Sequence, residues 1–93
     1  MANVRTASKP VIAMGANLVP SLIKLPQAAQ KHATTFLAKF QTNPRSTGIN
    51  LEHIANAADE KLYSARIDQR YRAIIARQKS SNVYILLYMG DHD

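Results

Sequence analysis

Arg66-Ile67-Asp68-Gln69-Arg70-Tyr71-Arg72-Ala73 lies between two runs in which apolar residues recur at every second position. Tyr63, Ala65 and Ile67 lead into its centre, and Tyr71, Ala73 and Ile75 lead out of it. Alternation on both sides of a polar centre predicts two half-buried strands joined by a tight turn. With the turn centred on Gln69, Tyr63 faces Ile75, Ala65 faces Ala73 and Ile67 faces Tyr71, all on one side of the sheet. The other side then carries Arg66 opposite Arg72, with Arg70 beside them. Like charges set directly opposite destabilise a strand pair by up to ~1 kcal/mol, so two readings stand. The arginines form an anion site, or they are cations solvated on the outer face of a one-sided sheet, one of them neutralised by Asp68. A register shifted by one residue would set Arg66 against Tyr71 and turn polar positions inward.

Beyond the hairpin, Gln78 to Asn82 is a polar turn, and Val83-Tyr84-Ile85-Leu86-Leu87-Tyr88-Met89 is a nearly continuous apolar run. Such a run suits a strand covered on much of both faces, pairing with residues 70–77 as a second hairpin. Strict alternation puts Tyr84, Leu86 and Tyr88 on one face and Val83, Ile85, Leu87 and Met89 on the other. If Tyr84 and Tyr88 share the face of the arginines, they offer stacking surface for unpaired bases; otherwise they belong to the core. Gly90-Asp91-His92-Asp93 follows, which places His92 at the strand end near the open face, where a lone histidine is ordinarily solvated. Asp91, His92 and Asp93 are too close in sequence to converge on one ion, so no metal site is expected.

Upstream, residues 1–8 lack periodicity and read as a flexible start. Pro10 to Met14 reads as a first strand, its proline at the beginning where no ladder N–H is needed. Gly15 and Asn17 mark a turn, with Asn17 placed to cap a helix. Leu18, Leu22 and Leu25 share one face of that short helix, and Pro20 is tolerated within its first turn. Pro26 opens a second helix, where Ala29, Ala33, Phe36, Leu37 and Phe40 form an amphipathic stripe expected to pack on the sheet. Thr42-Asn43-Pro44 ends it. Residues 42–60 then read as a long loop in which Ile49 and Leu51 look buried, and loops of that length are often functional. Glu52 in this loop is the first acidic residue of the chain and the only one before Asp59. Its ordinary roles are a solvated side chain or a partner for a nearby arginine.

The 93 residues, 46% of them hydrophobic, bound the answer to one domain spanning 1–93 with a modest core. No cysteine is present, so disulfides and thiolate metal sites are excluded. The longest apolar run, Val83 to Met89, falls far short of the ~18 residues of a membrane span. Asn17 and Pro20 interrupt the apolar stretch after Arg5 and Lys9, which argues against a signal peptide. A soluble, cytoplasmic protein is expected. The net charge of +6, from twelve Lys and Arg against six Asp and Glu, favours nucleic acid or an acidic protein as partner. Arg66, Arg70, Arg72 and Arg77 concentrate that charge on the hairpin.

The expected class is therefore α+β: a strand, two helices, then a three-stranded antiparallel meander, with the helices packed on one face of a four-stranded sheet. Over residues 10–92 this order resembles the RelE/ParE toxin superfamily. The likeness is carried by Leu25-Pro26 between the helices, Asn43-Pro44 after them, Leu62 to Ile67 entering the hairpin and Tyr71 to Ile74 leaving it. Tyr84-Ile85-Leu86-Leu87-Tyr88 with Asp91-His92 completes it. The resemblance implies the toxin of a type II toxin–antitoxin system, neutralised by an acidic antitoxin, that cleaves mRNA on the ribosome without metal or cofactor. It assigns Glu52, Arg66, Arg72 and His92 to catalysis by attack of the RNA's own 2′-OH. Glu52 or His92 takes the proton, His92 protonates the leaving oxygen, and the arginines hold the phosphate. Arg66, Arg70, Arg72, Tyr84 and Tyr88 are the expected nucleic-acid contacts. The superfamily also implies an alternative, a non-catalytic binding module. That module would be a gyrase-directed ParE-like toxin or a domain similar to those preceding UvrD-like helicases.

Overall fold

The computed structural model describes residues 10–54, 61–77 and 82–91. The expected flexible start at 1–8 and His92 both lie outside these described residues. Strand β1 (Val11–Met14) is followed by helix α1 (Leu18–Ile23) and helix α2 (Gln27–Thr42). A two-residue strand β2 (Glu52–His53) precedes the meander β3 (Leu62–Arg66), β4 (Tyr71–Arg77) and β5 (Val83–Asp91). The sheet order is β1-β5-β4-β3-β2. Strand β1 runs parallel to β5, and the other neighbours are antiparallel.

The central hairpin has the register that its alternation predicts. Tyr63 pairs with Ile75, Ala65 with Ala73 and Arg66 with Arg72. The Ile67 N–H donates to the Tyr71 carbonyl at 2.9 Å, closing the turn. The fold class is as expected, with one strand more. Inside the stretch read as a loop, Glu52 pairs with Ser64 and His53 with Tyr63. Asn50 makes this approach with φ of 53°, a left-handed conformation that Asn tolerates better than most residues. Two residues are too few to show a period, so only their pairing with β3 makes them a strand.

Both helices cover the same face. Leu18, Leu25, Ala29, Ala33, Phe36 and Phe40 are buried against Ala65, Ala73, Ile75, Tyr84, Leu86 and Met89. Ile49 is buried as expected, whereas Leu51, also expected to be buried, is only partly so and packs at the margin with Leu37. Asn17 stands at the α1 N-cap but its side chain makes no capping bond; the first turn is closed by backbone bonds from Leu18 to Gly15 and from Ser21 to Asn17. Pro26 occupies the N-cap of α2, one residue ahead of the first helical position. The Gln30 side-chain amide donates to the carbonyls of Ile23 and Leu25 at 3.2 and 3.0 Å, satisfying groups that the end of α1 would otherwise leave open. No helix among the described residues is long and apolar enough to cross a membrane.

One polar side chain couples α1 to the sheet. The Ser21 hydroxyl donates to the Leu18 carbonyl at 2.7 Å and accepts the Met89 N–H at 2.9 Å. Ser21→Ala removes that acceptor from a strand position whose side chain is buried, and an unsatisfied buried donor costs about 1–3 kcal/mol. Urea denaturation is expected to show a loss in that range, with hydrogen exchange accelerated at the Met89 amide. An unchanged midpoint would show that the bond contributes nothing.

Candidate functional site

Facing pairs on an antiparallel sheet share a face, so the register locates Glu52, Arg66, Arg72, Tyr84 and Tyr88 among the expected site residues. Glu52, Ser64, Ile74 and Tyr88 form one row across the uncovered face. Arg66, Arg72 and Gly90 form the next. The strands thus bring Glu52, Arg66, Arg72 and Tyr88 to one side of the molecule, away from the helices. Farther along this face, toward β1, Val11, Val83 and Ile85 are exposed; Arg66 lies on β3 and Arg72 on β4.

Ser64 and Arg72 line two of the clefts formed by the described residues. The first, about 500 Å³, is bounded by Asn50, Glu52, Ser64, Arg66, Asp68 and Arg72 with neighbouring loop residues. The second, about 250 Å³, includes Ile74, Tyr88, Gly90 and Asp91. Gly90 stands opposite Arg72, and the Tyr88 ring lies against Gly90 on that side. Arg66 is exposed and Arg72 partly buried. Among the described residues neither is ion-paired, and the buried Nε of Arg72 has no hydrogen-bond partner. Leaving a charged donor unmade is costly.

Asp68 does not neutralise these arginines. Its Oδ1 accepts the N–H groups of Arg70 and Tyr71, both at 2.9 Å, which shapes the hairpin turn. Its Oδ2 lies 2.9 Å from His32 Nδ1 on α2. The His32 hydrogen bond holds the Asp68 carboxyl below its usual value of 3.8; partial burial opposes this, and the Tyr71 and Arg70 N–H groups add to it. A carboxyl with a depressed folded-state pKa stabilises the fold above its unfolded value of ~3.9 and loses that contribution as pH falls through the lower folded value. Asp68→Asn, which keeps a turn acceptor, is therefore expected to flatten the acid-side fall of Tm. A profile that stays as steep as wild type would sink this linkage.

Two expected nucleic-acid contacts are placed elsewhere. Strand β5 carries a bulge: Ile74 pairs with Tyr88 but Ile75 pairs with Leu86, leaving Leu87 unmatched. The extra residue reverses the alternation. Tyr84 and Leu86 turn to the helices, Met89 joins them, and Tyr88 alone of the two tyrosines reaches the open face. Tyr84 is fully buried, edge-on to Phe40 at 5.7 Å between ring centroids. Its hydroxyl accepts a bond from Arg45 Nε at 3.0 Å, and the Arg77 guanidinium lies 5.1 Å from its ring centre. It offers no face to a base. Arg70, at the hairpin tip, is paired through Nε with Asp91 at 3.0 Å and does not accompany Arg66 and Arg72. Ser64, two residues before Arg66 and so on the arginine face, lines both clefts, a placement the sequence reading does not single out. The His32–Asp68 bond left no sequence signal, because 36 residues separate its partners.

No protein-family model matches the sequence, and no curated protein matches it. Solved structures do share the architecture. The archaeal RelE–RelB complex from Pyrococcus horikoshii OT3 is 20% identical, with 90% of this chain and 96% of that chain covered at a TM-score of 0.65. The toxin–antitoxin complex RelBE2 from Mycobacterium tuberculosis is 14% identical, with 92% and 94% covered at a TM-score of 0.67. The intact RelBE toxin–antitoxin complex of E. coli is 13% identical, with 90% and 98% covered at 0.61. Near-complete coverage in both directions matches the order of strand, helices and meander described above: the chain has the fold of the RelE/ParE toxin superfamily.

Proposed function

We propose that this chain is the toxin of a type II toxin–antitoxin pair and cleaves mRNA on the ribosome. The observation that carries the reading is the Arg66–Arg72 pair, unpaired with any described carboxylate and set beside Glu52 and Ser64 in one cleft. Opposed guanidinium groups disfavour the empty site and favour one holding a phosphodiester. In the reaction, the 2′-oxygen of a ribose bonds to the adjacent phosphorus and the bond from phosphorus to the 5′-oxygen breaks. Glu52 accepts the 2′-OH proton, and the departing 5′-oxygen takes a proton from His92. The products are a 2′,3′-cyclic phosphate and a 5′-OH. Arg66 and Arg72 bind the phosphate more tightly as charge builds on it. Tyr88, nearly half exposed at 47% beside Arg72, supplies a ring for a neighbouring base.

The fold's occurrence with RelB-type antitoxins in solved complexes supports an acidic antitoxin as the neutralising partner, in keeping with the +6 charge. The test adds purified protein to translating ribosomes and maps new mRNA 5′ ends. Cuts bearing 5′-OH and cyclic-phosphate termini are expected. Intact mRNA at protein levels that arrest growth would overturn the reading and leave the non-catalytic module in its place.

A further inference from the structure

The cleft holding Arg66 and Arg72 does not end at the sheet. A smaller one of about 150 Å³ lies on its far side, between α2 and the end of β3, lined by His32, Thr35, Lys39 and Arg66 among others. Gly48, Ile49, Arg66 and Ile67 line both spaces, so they meet along one rim with Arg66 on it. Charge follows the same line. Arg72 and Arg66 occupy the open face, and Lys39 stands in the last turn of α2. Helix α2 has no acidic residue in its sixteen positions, so no carboxylate within the helix neutralises Lys39. The carboxylate nearest in sequence to Arg66 is Asp68, held by His32 and the turn amides.

We infer that a single strand of RNA crosses the Arg66 rim, its backbone running from the cleft on the sheet to the groove beside α2. Lys39 meets a phosphate next to the one held by Arg66 and Arg72. The inference rests on the endoribonuclease reading and deepens it, because it assigns a second backbone subsite to the same substrate. The low polarity of Ile49 and Phe36 in the floor suits ribose and base surface between phosphates. A lysine is adequate here, since this subsite needs a point charge and not a fork.

The test measures fluorescence anisotropy of labelled RNAs of three and nine nucleotides at several salt concentrations. Wild type, Lys39→Ala and Arg72→Ala are compared. The nonamer is expected to bind wild type more tightly than the trimer. Lys39→Ala should weaken the nonamer only, with the slope of log K against log salt smaller by about 0.7, the value for one phosphate contact on a single strand. Arg72→Ala should weaken both RNAs. If Arg72→Ala weakens both while Lys39→Ala leaves the nonamer and its salt slope unchanged, the α2 groove carries no RNA and the inference falls alone. If neither RNA responds to Arg72→Ala, the proposed substrate site falls, and this subsite with it.

Discussion

Arg72→Ala is expected to lose mRNA cleavage on translating ribosomes by about 10²–10³-fold, the usual cost of removing one donor aimed at developing charge. The same change is expected to leave the fold intact or slightly more stable. It removes one member of the like-charged Arg66–Arg72 pair and a buried Nε that has no partner. Relief of the opposed charges is worth up to ~1 kcal/mol, or about 4–8 °C in Tm for a domain of this size. Activity and stability thus move in opposite directions, which a merely structural arginine would not produce. Arg72→Lys is expected to recover only part of the activity, since an ammonium cannot hold two phosphate oxygens in a planar fork. Full cleavage by Arg72→Ala, or a fall in Tm that tracks the lost activity, would remove Arg72 from the chemistry.

Phe40→Ala is expected to have the largest effect on stability, about 3–5 kcal/mol by urea denaturation. Phe40 is fully buried, stacked on Phe36 at 5.5 Å and edge-on to Tyr84 at 5.7 Å. Its ring joins α2 to β5 through Tyr84. Removing it also strips a wall from Tyr84, whose hydroxyl holds Arg45, so loss should spread to the segment following α2. Against a total of about 5–15 kcal/mol for a typical domain, such a change brings the protein close to unfolding at ambient temperature. A loss under about 1 kcal/mol would mean that α2 is not seated on the sheet through this ring. Phe40→Leu, which keeps most of the volume, should recover most of the stability.

The hairpin register was legible in the sequence because alternation of period two on both sides of Gln69 leaves one pairing that buries Ala65, Ala73 and Ile75 together. The seating of α2 was legible for a related reason: Ala29, Ala33, Phe36 and Phe40 recur at helical spacing, and each is buried. Local periodicity encodes which side of an element faces inward, and Arg66 and Arg72 follow as the complement of the buried set. Tertiary structure alone decided the rest. The bulge at Leu87 cannot be read from an unbroken apolar run, since either face of such a run looks alike until a partner strand sets the register. It separated Tyr84 from Tyr88, giving one to the core and the other to the open face. The pairing of Glu52 with Ser64 and the bond from His32 to Asp68 likewise join segments distant in the chain. No local pattern records such contacts, because they form only after the sheet has brought their partners within hydrogen-bonding reach.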